Sequence, residues 1–151
     1  MSKHADLALD IVETPIGRPV TIEHLEAKLD LTYNWGYEKS RQDLRDLYKK
    51  AQRTQWQPDL TLPWDSQVDL EKNYYPEEMF PLHGSDIAAK LTPAERQHAN
   101  REMFSWVLSQ FLHGEQGALL AASQLVTTVP DMDSKYYAST QVFDEGRHVE
   151  V

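Results

Sequence analysis

The feature that most constrains this chain is the stretch from Thr92 to about Thr128. Thr92-Pro93-Ala94-Glu95 reads as a helix start, with a capping-box Thr, Pro at the first helical position and Glu at the third. No stop signal follows until Pro130 and Asp131. A helix of about 36 residues spans on the order of 50 Å. Phe104, Val107, Leu108, Phe111, Leu119, Ala122 and Val126 form one apolar stripe along it, and Glu115 stands inside that stripe. A helix of this length must bury its stripe against other helices, so the expected class is all-α. A carboxylate inside the stripe costs several kcal/mol unless it is paired.

A second helix is expected from Asp131 or Asp133 to the chain end. It carries Glu145 and His148, whose i,i+3 spacing puts a carboxylate and an imidazole on one face, with Gln141, Ala138 and Tyr137 continuing that face. Glu115 and Glu145 are 30 residues apart. The chain can rise about three and a half turns to Thr128, cross at Pro130 and return as far, which brings both residues to one level. Gly114 and Gly117 flank Glu115 inside the helix, each costing about 1 kcal/mol relative to Ala. A local rule broken twice beside an acid marks a functional site, with room for a metal, or close helix packing. Three oxygen and nitrogen ligands from two helices, Glu115, Glu145 and His148, suit Fe(II) or Mn(II). Asp144 and Arg147 lie off the ligand face; with Gln141 they would hold the ligands in place, or Asp144 and Arg147 form a surface ion pair.

A second Glu-x-x-His, at Glu95 and His98, reads differently. Glu95 is the capping-box residue, and Arg96, Gln97, Asn100 and Arg101 around it indicate a solvated face. It lies 20 residues before Glu115, about 200° around the helix, away from the stripe.

The rest of the chain is less patterned. Residues 1–20 read as irregular, with Pro15, Gly17 and Pro19. A helix is expected over Thr21–Leu31, with Thr21 as cap and Ile22, Leu25 and Leu29 on one side, and another over Glu38–Thr54, carrying Leu44, Leu47, Tyr48 and Ala51. Between them Tyr33-Asn34-Trp35-Gly36-Tyr37 breaks the pattern. Trp56 to Pro81, rich in Pro and aromatics, reads as an extended segment laid over the helices rather than a free loop. The organisation is therefore an N-terminal arm over residues 1–91 and a helical bundle portion over 92–151.

Composition narrows the function classes. With 15 basic and 24 acidic residues the net charge is −9, which disfavours nucleic acid and anionic membrane surfaces as partners. The chain has no cysteine, so disulfides, thiolate zinc sites and iron–sulfur clusters are excluded. The N-terminus lacks a signal-peptide pattern, and no apolar run approaches about 18 residues. A reducing cytoplasm fits.

With these residues in place, the chain resembles the ferritin-like di-iron carboxylate family, in its oxygen-activating branch. Asp144-Glu145-Gly146-Arg147-His148 resembles the Asp-Glu-x-Arg-His signature of bacterial di-iron monooxygenases, and Phe111 to Leu119 resembles the preceding ligand helix. Tyr48 to Arg53, Trp56-Gln57-Pro58 and Leu62-Pro63-Trp64 are similar to the N-terminal arm of ribonucleotide reductase small subunits and related oxidases. The likeness runs from about residue 32 to the end. It implies a four-helix di-iron bundle, with Glu115 a terminal ligand, Glu145 a bridge between two irons and His148 a ligand to the first. It also implies dioxygen activation to oxidise a small organic substrate.

The family uses a second Glu and a second Glu-x-x-His from two further helices, and this chain ends three residues after His148. The position of the reductase radical Tyr, one turn beyond that His, also falls outside it. The expectation is thus half of a ligand set, completed by a missing C-terminal half of a longer protein or by a homodimer with a shared site. The competing readings are a ferroxidase or iron-storage protein, and a metal-free helical interaction module in which a partner's Arg or Lys satisfies Glu115.

Overall fold

The computed structural model describes residues 9–13, 19–23, 26, 28 and 30–151. They fall into two compact units, Met1–Asp30 and Leu31–Val151.

The first unit holds two strands. β1 (Leu9–Glu13) pairs antiparallel with β2 (Pro19–Glu23), with Leu9 opposite Glu23, Ile11 opposite Thr21 and Glu13 opposite Pro19. This corrects both sequence expectations for the region: residues 1–20 are not all irregular, and no helix starts at Thr21. Strand β2 passes through Thr21 and Ile22, and Glu26, Lys28, Asp30 and Leu31 are not helical. Leu25 and Leu29, the other two residues of the expected helical face, lie outside the described residues. The physical reason lies in the side chains. Ile11-Val12 and Val20-Thr21-Ile22 are β-branched residues, which lose χ1 freedom in a helix and suit a pleated ladder. Pro19 heads its strand, a position that needs no ladder donor.

The second unit is helical. It runs α1 (Gln42–Arg53), a short α2 (Pro58–Thr61), two single 3-10 turns at Glu77–Met79 and Ala88–Lys90, then α3 (Pro93–Thr128) and α4 (Met132–Glu150). The bounds of α3 follow from its ends. Thr92 Oγ1 accepts from the Glu95 amide at 3.3 Å, and the Glu95 carboxylate accepts from the Thr92 amide at 2.8 Å. At the other end Pro130 holds Val129 extended, at φ −65° and ψ 144°, and the helix stops. Asp131 caps α4 by accepting from the Ser134 amide at 2.8 Å.

α3 and α4 form an antiparallel pair. Lys135 donates to the Val126 carbonyl near the turn, and His148 meets Glu115 farther along. Ala122 and Ala138 are buried between these two contacts, so small side chains form the seam. The two helices are unequal, 36 residues against 19, so α4 covers only the second half of α3. Consequently the apolar stripe is not buried along its length. Leu119, Ala122 and Val126 pack, while Leu108 and Phe111, the latter 62% exposed, do not.

The first half of α3 is covered instead by the segment before it. Asn100, read from sequence as solvated, is 1% exposed. Its Oδ1 accepts from the amides of Tyr74 (3.1 Å) and Tyr75 (3.0 Å), and its Nδ2 donates to the Tyr75 carbonyl (2.7 Å). Tyr74 stacks on Phe104 at 5.5 Å, and Arg96 donates to the Ala88 carbonyl at 2.7 Å. Buried Phe80 and Ala88 complete this small core.

α1 packs on α4 through a buried carboxylate. Asp133, with no exposed surface, accepts from the amides of Ser40 and Arg41 at 2.9 Å each and from Arg45 Nε at 2.7 Å. The Arg41 amide, then the Ser40 amide and the Arg45 side chain, hold its carboxyl below the usual carboxylate range against the opposing effect of burial. These contacts also explain why α1 starts at Gln42 and not at Glu38. Asp133 takes the Ser40 and Arg41 amides, and Arg41 sits at φ −130°, outside the helical region. Tyr48 stacks on Tyr136 at 5.4 Å one turn farther along.

Candidate metal centre

Three side chains from two helices converge where α4 returns past the middle of α3. His148 Nδ1 lies 3.2 Å from Glu115 Oε2 and 3.0 Å from Glu145 Oε2. One ligand atom from each residue falls within 4.8 Å of the other two. The i,i+3 spacing on α4 sets the Glu145–His148 contact, and the antiparallel return about Pro130 sets the contact with Glu115. Glu115, Glu145 and His148 are therefore brought together as the spacing predicts.

Their surroundings differ from the sequence expectation in one respect. Glu115 is not a buried acid: its side chain is 31% exposed, against 19% for Glu145 and 47% for His148. The reason is the outer face of α3 at this level, where Phe111 and Leu112 are exposed and none of the described residues covers them. Gly114 and Gly117 agree with this, since a Cβ built on either meets nothing within 4 Å. Among the described residues, close helix packing is thus not what these glycines serve. A shallow groove of about 470 Å³ runs from Glu115 along Gly114 and Phe111 to Trp106.

The donor set fits a divalent cation. Two carboxylates and one imidazole offer oxygen and nitrogen at chelating separations, and among the described residues no Lys or Arg pairs with either acid. A doubly charged ion would balance both carboxylates. It would take His148 through Nδ1, the nitrogen that faces them.

Behind the ligands, Asp144 and Arg147 pair with each other, but not as surface groups. Arg147 is 7% exposed; it donates to Asp144 through Nη2 and to the Trp56 carbonyl through Nη1 at 2.9 Å. Gln141 lines a polar cavity of about 250 Å³, together with Thr54, Gln55, Trp56, Glu145 and His148. The other Glu-x-x-His pair stays apart from the site. Glu95 is engaged in its helix cap, and exposed His98 lies 3.9 Å from Glu102. The hydrogen bonds from the Thr92 amide and hydroxyl hold the Glu95 carboxyl below its usual value.

Sequence reasoning missed Asp133, Asn100 and the part of Trp56 in holding Arg147. Asp133 carried a signal, an acid in the first turn of α4 two residues after the capping Asp131. Asn100 carried none, because its partners are backbone groups 25 and 26 residues away.

The chain matches no family model, and no curated protein or solved structure matches it. Among the described residues no helix is long and apolar enough to cross a membrane.

Proposed function

We propose that residues 92–151 carry half of a ferritin-like di-iron carboxylate centre, in a protein that activates dioxygen to oxidise a small organic substrate. The observation that carries this reading is the convergence of Glu115, Glu145 and His148 from two antiparallel helices within 4.8 Å, with no Lys or Arg among the described residues paired to either acid. In such a centre Glu115 and Glu145 would hold the metal through their carboxylates, and His148 through Nδ1. Bound iron would supply the reduction of dioxygen. The chain's own residues hold the metal, and the apolar groove beside Glu115 offers a wall on which an organic substrate rests. The remaining ligands would come from outside this set, as a further segment of a longer protein or a second copy related by a two-fold axis. Manganese would fit the same donors.

One observation favours a second reading. His148 sits between two carboxylates at hydrogen-bond distance, so a charged imidazole would satisfy Glu115 and Glu145 without metal. The chain would then be a helical interaction module whose exposed α3 face binds a partner.

Anaerobic Fe(II) loading separates the two readings, with iron per chain and mass in solution measured together. The di-iron reading expects specific iron, two per complete site, lost together in Glu115→Ala and His148→Ala. A folded, associated protein that takes up no iron would refute it in favour of the interaction module.

A further inference from the structure

We propose that Trp56 is a positioning residue for His148, acting through Arg147, so that the segment after α1 sets the geometry of the metal ligand. This rests on the metal reading of Glu115, Glu145 and His148.

His148 stands on α4 directly after Arg147, so the ring is carried by the backbone that Arg147 anchors. A metal-binding imidazole is ordinarily oriented by a hydrogen bond to its second nitrogen. Here both contacts of the ring are made by Nδ1, and Nε2 has no hydrogen-bond partner among the described residues. The ring direction therefore depends on how firmly the helix backbone that carries it is held.

Arg147 holds it. Adjacent side chains on a helix diverge by about 100°, so while His148 faces Glu115, Arg147 faces the other way, toward Trp56. Its buried guanidinium donates to the Trp56 carbonyl, and its Cζ lies 5.0 Å from the Trp56 ring and 5.1 Å from the Phe143 ring. Such a cation between two ring faces, paired also to Asp144, is fixed in both direction and distance. Among the described residues its Nε has no partner, so the contacts to Trp56, Phe143 and Asp144 are what hold it.

Trp56 stands on a tethered stretch of backbone. It lies in the short link between α1 and α2, whose first residue, Pro58, is buried and accepts from Trp64 Nε1 at 3.0 Å. The Trp56 side chain also walls the cavity that reaches Glu145 and His148, so its removal would both free Arg147 and let water in beside the ligands.

The test compares the parent with Trp56→Ala, Trp56→Phe and Arg147→Lys. Fe(II) affinity is measured by anaerobic titration, and the His148 ring nitrogens of the metal-free protein are read by long-range proton–nitrogen spectra. Trp56→Ala should weaken Fe(II) binding by about tenfold, as loss of a group supporting a ligand typically does. It should also shift the His148 ring signals, while Trp56→Phe keeps a ring against the guanidinium and restores both. A folded Trp56→Ala protein with parental affinity and unmoved His148 signals would overturn the proposal. If that variant fails to fold, Arg147→Lys decides by the same two readings, since it keeps the charge but loses the planar stacking. A parent that binds no iron would fail the metal reading alone, and the ring signals would still decide whether Trp56 positions His148.

Discussion

Replacing Asn100 by Ala tests how the segment before α3 is attached. Asn100 makes three hydrogen bonds to the backbone of Tyr74 and Tyr75 from a position with 1% exposure. Each contributes about 1 kcal/mol net, which places the loss at about 3 kcal/mol, and stranding two amides and a carbonyl pushes it upward. Tyr74 and Tyr75 are only half-buried, so water would reach some of the freed groups and bring it back down. Because the bonds tie a segment to a helix, the loss should appear first as local opening. Amide exchange at Tyr74 and Tyr75 should speed up by about a hundredfold, the equivalent of about 3 kcal/mol. Exchange in the middle of α4, which Asn100 does not touch, should change far less. Hydrogen exchange read residue by residue gives both numbers in one experiment. Unchanged protection at Tyr74 and Tyr75, with global stability lowered by less than about 1 kcal/mol, would refute the idea that this one side chain anchors the segment.

Two further outcomes follow from other positions. The Asp133 carboxyl is held below its ordinary range, so its contribution is complete above the pKa of an unfolded Asp and is lost as pH falls through the lower folded value. Thermal melts from neutral pH to pH 3 should therefore show a steep acid loss that Asp133→Asn flattens while lowering the neutral-pH melting temperature; an equally steep loss in the variant would contradict this. At Gly114 a Cβ meets no atom, so Gly114→Ala should stabilise the isolated chain by about 0.5–1 kcal/mol in chemical unfolding. Destabilisation instead would mean that another helix already occupies that space in the assembled protein.

The parts of the chain legible in its sequence are those governed by local rules. The capping box at Thr92 and the stop at Pro130 bound α3, Asp131 starts α4, and i,i+3 spacing with a symmetric return brings Glu145, His148 and Glu115 together. The pairing of β1 with β2 was hidden, because Thr21, Ile22, Leu25 and Leu29 also fit a helical face, and the β-branched residues favour the extended form only once the two neighbouring strands pair. The burial of Asn100 and Arg147 was hidden for another reason. Both side chains are polar, and the partners that bury them include backbone groups of distant residues, which every residue offers and no sequence pattern marks. The exposure of Glu115 was misread because the stripe around it implies a covering helix, which neither α4 nor the segment before α3 supplies.

Asp133 has a consequence for the order of assembly. The helix pair α3–α4 closes through contacts about 9 to 33 residues apart, whereas α1 is fastened through Asp133 by contacts spanning 88 to 93 residues. Closing the longer loops costs more entropy, and their donors have nothing to bind until the first turn of α4 exists. The segment around α1 should therefore behave as a late-docking strap. Residues 31–66, supplied as a separate peptide, would be expected to seek the same acid on a preformed α3–α4 pair.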